Sequence, residues 1–432
     1  MISYNEALAI VRSEAAARPL PAETVPLAGI PGRVCAEKLR APLSVQPFDN
    51  SAMDGFAVRA EDLSHASAAH PVPLVSVGII AAGTTPAAAL KPGQCMEIMT
   101  GAPVPQGADT VVPVEVVEVF GERIVFRETP KPGAHIRRAG EDFQKGDVVL
   151  NTGDRLGPQH ILPLATLGIG SVPVHRRPRI GLITTGKEIV DDLSRPLKPG
   201  QIYNSNAPYA SAMLRALGAE LMDYGSIPDE PGHFESILSR ALTDNLDIIV
   251  STGAVSAGRY DFIRQVLEGN AAEILFHKVK IRPGKPNLFA KLANGPLYFG
   301  LPGNPTAVAA GLRFFVWPAV EAMSALEPEQ PEMLPLHGDY AKKQGLLLFL
   351  KGRKDPDGVE ILQGQQSFQT RPFLTMNCWV VAAEQSEGLE AGRLVPTYPL
   401  LAFSNGRVQA VPLTQQRSLD GHACPDSPLY FS

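Results

Sequence analysis

Cysteine is scarce in this chain: Cys35, Cys95, Cys378 and Cys424 are the only four among 432 residues. They are scattered, with no metal-ligand spacing, which argues against a disulfide scaffold and for a reduced protein. Histidine is thin as well, with nine residues and no pair at metal spacing, so a zinc hydrolase is not expected. No serine stands in a nucleophile-elbow context. A large excess of either charge is also missing. The net charge of -5 gives no reason to expect nucleic acid or an acidic membrane as partner. No apolar run approaches the length of a bilayer span, and the opening residues lack the basic and apolar regions of a secretory signal. These absences predict a soluble, cytoplasmic protein.

Glycine and proline are what the chain has in plenty, 39 and 40 residues respectively. Together they are about 18% of the chain against roughly 12% on average, which excludes an all-helical protein. The length implies about two to four domains. Ser3–Ala17 is expected to be a helix, with Ser3 and Glu6 at capping-box spacing. Short β-like runs between Pro71 and Arg127 predict a small β-rich domain, inserted between two parts of an N-terminal linker domain. From Arg179, strand-like and helix-like runs alternate, the signature of a doubly wound α/β/α layer. The expected boundaries are 1–44 and 140–177 for the linker domain, 45–139 for the insertion and 178–326 for the α/β domain. A small β-barrel-like domain follows over 327–412, then a loose tail over 413–432.

Five strands are expected in the α/β segment: Ile180–Thr184, Glu220–Ile227, Leu246–Ser251, Ile274–Ile281 and Pro296–Gly300. In a parallel sheet the ligand crevice lies outside the carboxyl ends of the strands. The segments following these strands would therefore share one edge: Thr184–Glu188, Pro228–Glu230, Thr252–Asp261, Arg282–Pro286 and Leu301–Pro305. Glu188, Asp229 and Asp261 would face the same crevice as Lys285 and the backbone N–H groups of several glycine turns. Carboxylates beside phosphate-cradling loops suit Mg²⁺, and a lysine supplies a point charge for an oxyanion. Residues alone thus predict an enzyme that handles a phosphorylated ligand with a divalent cation. They leave the reaction open.

Several stretches together resemble one family, the molybdopterin molybdenumtransferases of the MoeA type and the matching domain of gephyrin. They are Pro47–Val58, Met99–Val112, Arg137–Phe143, Gly181–Val190, Gln201–Asn206, Ser251–Phe262, Pro283–Pro286 and Leu301–Pro305. The resemblance implies insertion of molybdenum from molybdate into adenylylated molybdopterin, with release of AMP and with Mg²⁺. It also implies a homodimer whose cleft combines the α/β domain of one subunit with the inserted domain of the other. An upstream molybdopterin adenylyltransferase and molybdoenzyme maturation factors become possible partners.

Residue by residue, Asp54, Thr100 and Asp142 match functional positions on the inserted side. Glu188, Asp229, Asp261 and Lys285 match those of the α/β side, the three carboxylates being the implied metal ligands. Substrate contacts are implied for Thr185 and Gly186 after the first strand, and for Ser205 and Asn206 ahead of the first helix. Gly253, Ser256 and Gly258 supply the glycine loop; Pro283 and Gly284 lie beside Lys285. Pro302, Gly303 and Asn304 follow the last strand, and Ser367 is the match in the C-terminal domain. The chain departs from the family at Lys187, where an acidic or neutral residue is common, at Arg259, where an acidic residue is common, and at Ala254, which replaces a glycine. Both basic residues would make the cleft more positive, or point to solvent. Near Thr370–Pro372 the family's serine-rich run is missing. The resemblance leaves open an adenylyltransferase, a tungstate-preferring paralogue and a non-enzymatic scaffold.

Overall fold

The alternating runs after residue 178 form a six-stranded sheet in the computed structural model, which describes residues 1–86, 88–253, 262–293 and 295–401. Its strands are β1 (Arg179–Thr185), β2 (Glu220–Ile227), β3 (Ile248–Thr252), β4 (Glu273–Phe276), β5 (Leu288–Lys291) and β6 (Leu297–Leu301). They lie in the order β2-β1-β3-β6-β5-β4. Four strands, β2, β1, β3 and β6, run parallel to one another, whereas β5 runs against both β6 and β4.

Helices α1 (Asn206–Ala216), α2 (Pro231–Thr243), α3 (Phe262–Gly269) and α4 (Pro305–Gly311) complete the layer. Helix α1 packs on β1, β2 and α4, while α2 packs on α3. Ile183 and Ile249 share a core with Phe234 and Leu238 of α2 and Ile263 and Leu267 of α3. The aligned row Leu182, Val250, Phe299 and Phe289 is offset by one residue and so faces the other way. All four are buried. Covering both faces explains why these strands read as continuous apolar runs without polar alternation.

Two strand expectations need correcting. Ile274–Ile281 is not one strand: β4 stops at Phe276, and Ile281–Arg282 pairs with Leu347–Asp355. Leu288–Lys291, not expected as a separate strand, is antiparallel. Because β5 enters the sheet where β6 leaves it, Leu288 lying opposite Gly300, the Lys285 segment reaches the predicted edge by preceding an antiparallel strand. It does not follow a parallel one. The apolar period could not show this, since both directions bury the same residues.

The helix after β6 also runs longer than the expected Thr306–Phe315. It passes through a π turn over Leu312–Val316 and continues to Met323. Pro318 offers no N–H to the preceding turn, the usual cause of such a widening.

Ahead of this layer, Tyr4–Ala16 is helical with its predicted capping box, Ser3 N–H donating to Glu6 Oε2 at 2.8 Å. Ala22–Pro26 pairs with Ser171–His175 and Leu39–Arg40 with Val148–Leu150, so the two parts of the first region are sewn together. Between them a six-stranded sheet closes over Phe56, Leu74, Val112, Ile124 and Phe126. Residues 280–283 and 329–401 form a second compact unit. Its own sheet buries Leu336, Leu350, Val359, Val380 and Val395. Residues 280–283 thus leave the α/β unit, although the sequence places them within 178–326. The tail expected over 413–432 lies outside the described residues. Cys35, Cys95 and Cys378 are buried free thiols, and burial pushes Cys95 up to about 12. Among the described residues no helix is long and apolar enough to cross a membrane.

Candidate active site

At the carboxyl ends of β1, β2, β3 and β6 the connecting segments enclose a cavity of about 230 Å³. Thr185 and Glu188 line it from the exit of β1, Asp229 from that of β2, Gly253 from that of β3, and Gly303 and Pro305 from that of β6. The segment Ile202–Asn206 closes the remaining side.

Hydrogen bonds fix this geometry. Gly253 N–H donates to Leu301 O at 3.0 Å, and Asn206 Nδ2 donates to Gly303 O at 2.7 Å. Gly253 has φ +96°, and a Cβ there would come within 2.5 Å of Thr185 O and 2.6 Å of its Oγ1. Only glycine allows β1 and β3 to exit so close together. Asn204, one residue before the cap position of α1, accepts from Ala207 N–H at 3.0 Å. Its amide donates to Asp191 and Ser226, which locks the approach to the helix.

Among the described residues, Thr185 Oγ1 and Asp229 Oδ1 are buried at this site with no hydrogen-bond partner, an arrangement that costs free energy unless a ligand supplies donors or positive charge. Glu188 is exposed beside exposed Lys187.

Known proteins decide the family. Residues 2–168 match the MoeA N-terminal region (domains I and II), and residues 181–322 match a probable molybdopterin-binding domain. A molybdopterin molybdenumtransferase of Synechococcus elongatus is 38% identical over 396 residues, spanning 91% of this chain and 98% of its own. One from Haemophilus influenzae is 34% identical over 397 residues, spanning 88% and 95%. The chain belongs to the molybdopterin molybdenumtransferases. It is a transferase of molybdenum cofactor biosynthesis. The crystal structure of a MoeA protein from Pyrococcus horikoshii superposes with a TM-score of 0.81 at 30% identity, covering 93% of this chain and 99% of that one.

The other expected residues of this molybdenumtransferase that are described lie outside the cavity lining. Gly186, with φ +152°, turns the chain out of β1, its N–H donating to Ile227 O. Lys285 is exposed, its carbonyl accepting from Val279 N–H at 3.0 Å, and Gly284 O accepts from Asn287 Nδ2. Pro302 is buried behind Gly303. Asn304 caps α4 through its carbonyl, which accepts from Ala307 and Val308. Asp54 and Thr100 form a pair of their own: Asp54 Oδ1 accepts from Thr100 N at 2.6 Å and from its Oγ1 at 2.8 Å. These bonds, the backbone one first, hold the Asp54 carboxyl below the usual range. Asp142 is exposed, its N–H donating to Val45 O.

Pro283 and Ser367 belong to the second unit. There the fully buried Lys351 donates to Gln366 O and Gln369 O at 3.2 and 3.1 Å, fastening the loop that carries Ser367. Ala254, Ser256, Gly258, Arg259 and Asp261 lie outside the described residues. Among the described residues no three His, Cys, Asp or Glu side chains cluster as a metal site.

Sequence reasoning missed Ile189, Ile202, Tyr203, Asn204 and Pro305 as cavity residues. The first three belong to a two-by-two parallel pairing, Ile189–Val190 with Ile202–Tyr203, too short to leave any periodic trace.

Proposed function

We propose that this cavity binds adenylylated molybdopterin and that the enzyme inserts molybdenum from molybdate with release of AMP. The orphaned Asp229 Oδ1 in a cavity it shares with Glu188 carries this reading. Mg²⁺ fits the donor set, since that ion is content with one or two carboxylates and otherwise takes substrate phosphates and water. Glu188 and Asp229 would hold it, with Asp261 as the third carboxylate; bound there, it neutralises phosphate charge. Thr185 Oγ1 and the backbone around Gly303 orient the substrate. Lys285 stands at the same sheet edge as a mobile cation for an oxyanion.

On the inserted side, Asp54 orients Thr100 and leaves proton transfer to Asp142. A carboxylate held below its usual range is anionic and a weak base near neutrality. The enzyme works as a homodimer in the cytoplasm, its cleft formed by the α/β domain of one subunit and the inserted domain of the other. The test is AMP release from adenylylated molybdopterin on adding molybdate. Glu188→Gln and Asp229→Asn are expected to lower the rate by about 100-fold or more. Unchanged rates in both variants would remove these carboxylates from the reaction.

A further inference from the structure

The lining of the cavity is largely polar but includes an aromatic ring. Tyr203 lines the cavity and remains 39% exposed; its neighbour Ile202, also lining, is 54% exposed. The ring is not loose. Its hydroxyl donates to Arg195 O at 2.9 Å, and its backbone is held by the pairing of Ile202–Tyr203 with Ile189–Val190. Asn204, next along, is 4% exposed and tied by three side-chain hydrogen bonds. A tethered, half-open aromatic ring beside a polar cavity loses little entropy when a flat ligand covers it. Inside, Thr185 is 3% exposed and its Oγ1 has no partner among the described residues, so a polar contact stands ready for the occupant of the cavity.

We propose that Tyr203 is a substrate-binding residue, stacking a planar, nitrogen-rich ring of the substrate over the cavity mouth, with Ile202 extending the apolar wall. The inference rests on the reading of the cavity as the adenylylated molybdopterin site. That substrate offers two such rings, pterin and adenine, whose shared chemistry is a flat heteroaromatic face with amino groups at its rim. Stacking on Tyr203 places the ring at the lip and directs the phosphates inward, toward Glu188 and Asp229.

The full-length protein is titrated with 6-methylpterin, followed by its fluorescence, and separately with AMP by calorimetry. Tyr203→Ala is expected to weaken one of the two about tenfold, the range of one base stacked on one aromatic side chain. The ligand affected names the ring. Tyr203→Phe and Tyr203→Trp, which keep a face, should bind as tightly as the parent. Unchanged binding of both ligands by Tyr203→Ala overturns the proposal. So does an equal loss in Tyr203→Phe, which would assign the effect to the hydroxyl tether. Molybdate-dependent AMP release by the unaltered enzyme is read separately. Its absence would defeat the transfer reaction while leaving ring binding intact.

Discussion

Single residues carry the sharpest consequences. At Gly253, φ +96° and the nearness of Thr185 O and Oγ1 leave no room for a side chain. Gly253→Ala is expected to cost about 2–4 kcal/mol, combining left-handed strain with a backbone clash. Denaturant unfolding reads the loss directly, and a change under half a kcal/mol, roughly the scatter of a neutral surface substitution, would mean that the exits of β1 and β3 separate freely. The Asp54–Thr100 pair makes a different statement. Since Thr100 holds the Asp54 carboxyl below its usual range, that group is already ionised throughout the neutral region. Asp54→Asn should lower kcat without removing a limb of the pH–rate profile between about pH 6 and about pH 8. Loss of a limb would return Asp54 to proton transfer. Lys351 titrates in the opposite regime: burial lowers it from 10.5 to about 8. Between those values the unfolded chain holds the extra proton, so stability rises with pH across that window. The penalty of the buried charge is fully present below about pH 8. Lys351→Met should lack the rise, which unfolding at both ends of the window would show.

Elements show how the sheet separates stability from chemistry. Asp247, just ahead of β3, accepts from Nη1 and Nη2 of Arg176 at 2.7 Å each and from the Arg179 N–H at 2.8 Å. This knot lies at the edge opposite the cavity, where β1 and β3 begin. Asp247→Asn is therefore expected to cost about 1–3 kcal/mol while leaving kcat and KM unchanged, and steady-state kinetics below the melting temperature check the second half. The same elements show what the sequence could reveal. Ile180–Thr184, Leu246–Ser251 and the helices between them were legible because both-face burial leaves long apolar runs, and Glu188, Asp229, Gly253 and Gly303 follow from the rule about strand ends. The reversal at Leu288–Lys291 was not legible, because a buried antiparallel strand has the same composition as a parallel one. Neither was Tyr203, since a two-residue strand is set by neighbours distant in the chain and carries no period of its own. The departure of Ile281–Arg282 to Leu347–Leu348 was hidden for the same reason.

For the whole molecule, family membership places the chain in molybdenum cofactor biosynthesis, and the proposed reaction adds the division of labour between subunits. Asp54 and Thr100 do not line the cavity that holds Glu188 and Asp229, which is the arrangement expected if each cleft takes its inserted side from a partner. Mixed dimers of Asp54→Asn and Glu188→Gln chains, each impaired alone, should then regain activity, because one of their two clefts carries neither substitution. Mixing that restores nothing would confine each site to one chain. The central claim is tested most directly by AMP release from adenylylated molybdopterin, measured with and without molybdate. The account predicts release that depends on molybdate, matches the cofactor formed and falls about 100-fold in Glu188→Gln. Release that ignores molybdate, or formation of adenylylated molybdopterin from ATP instead, would contradict it.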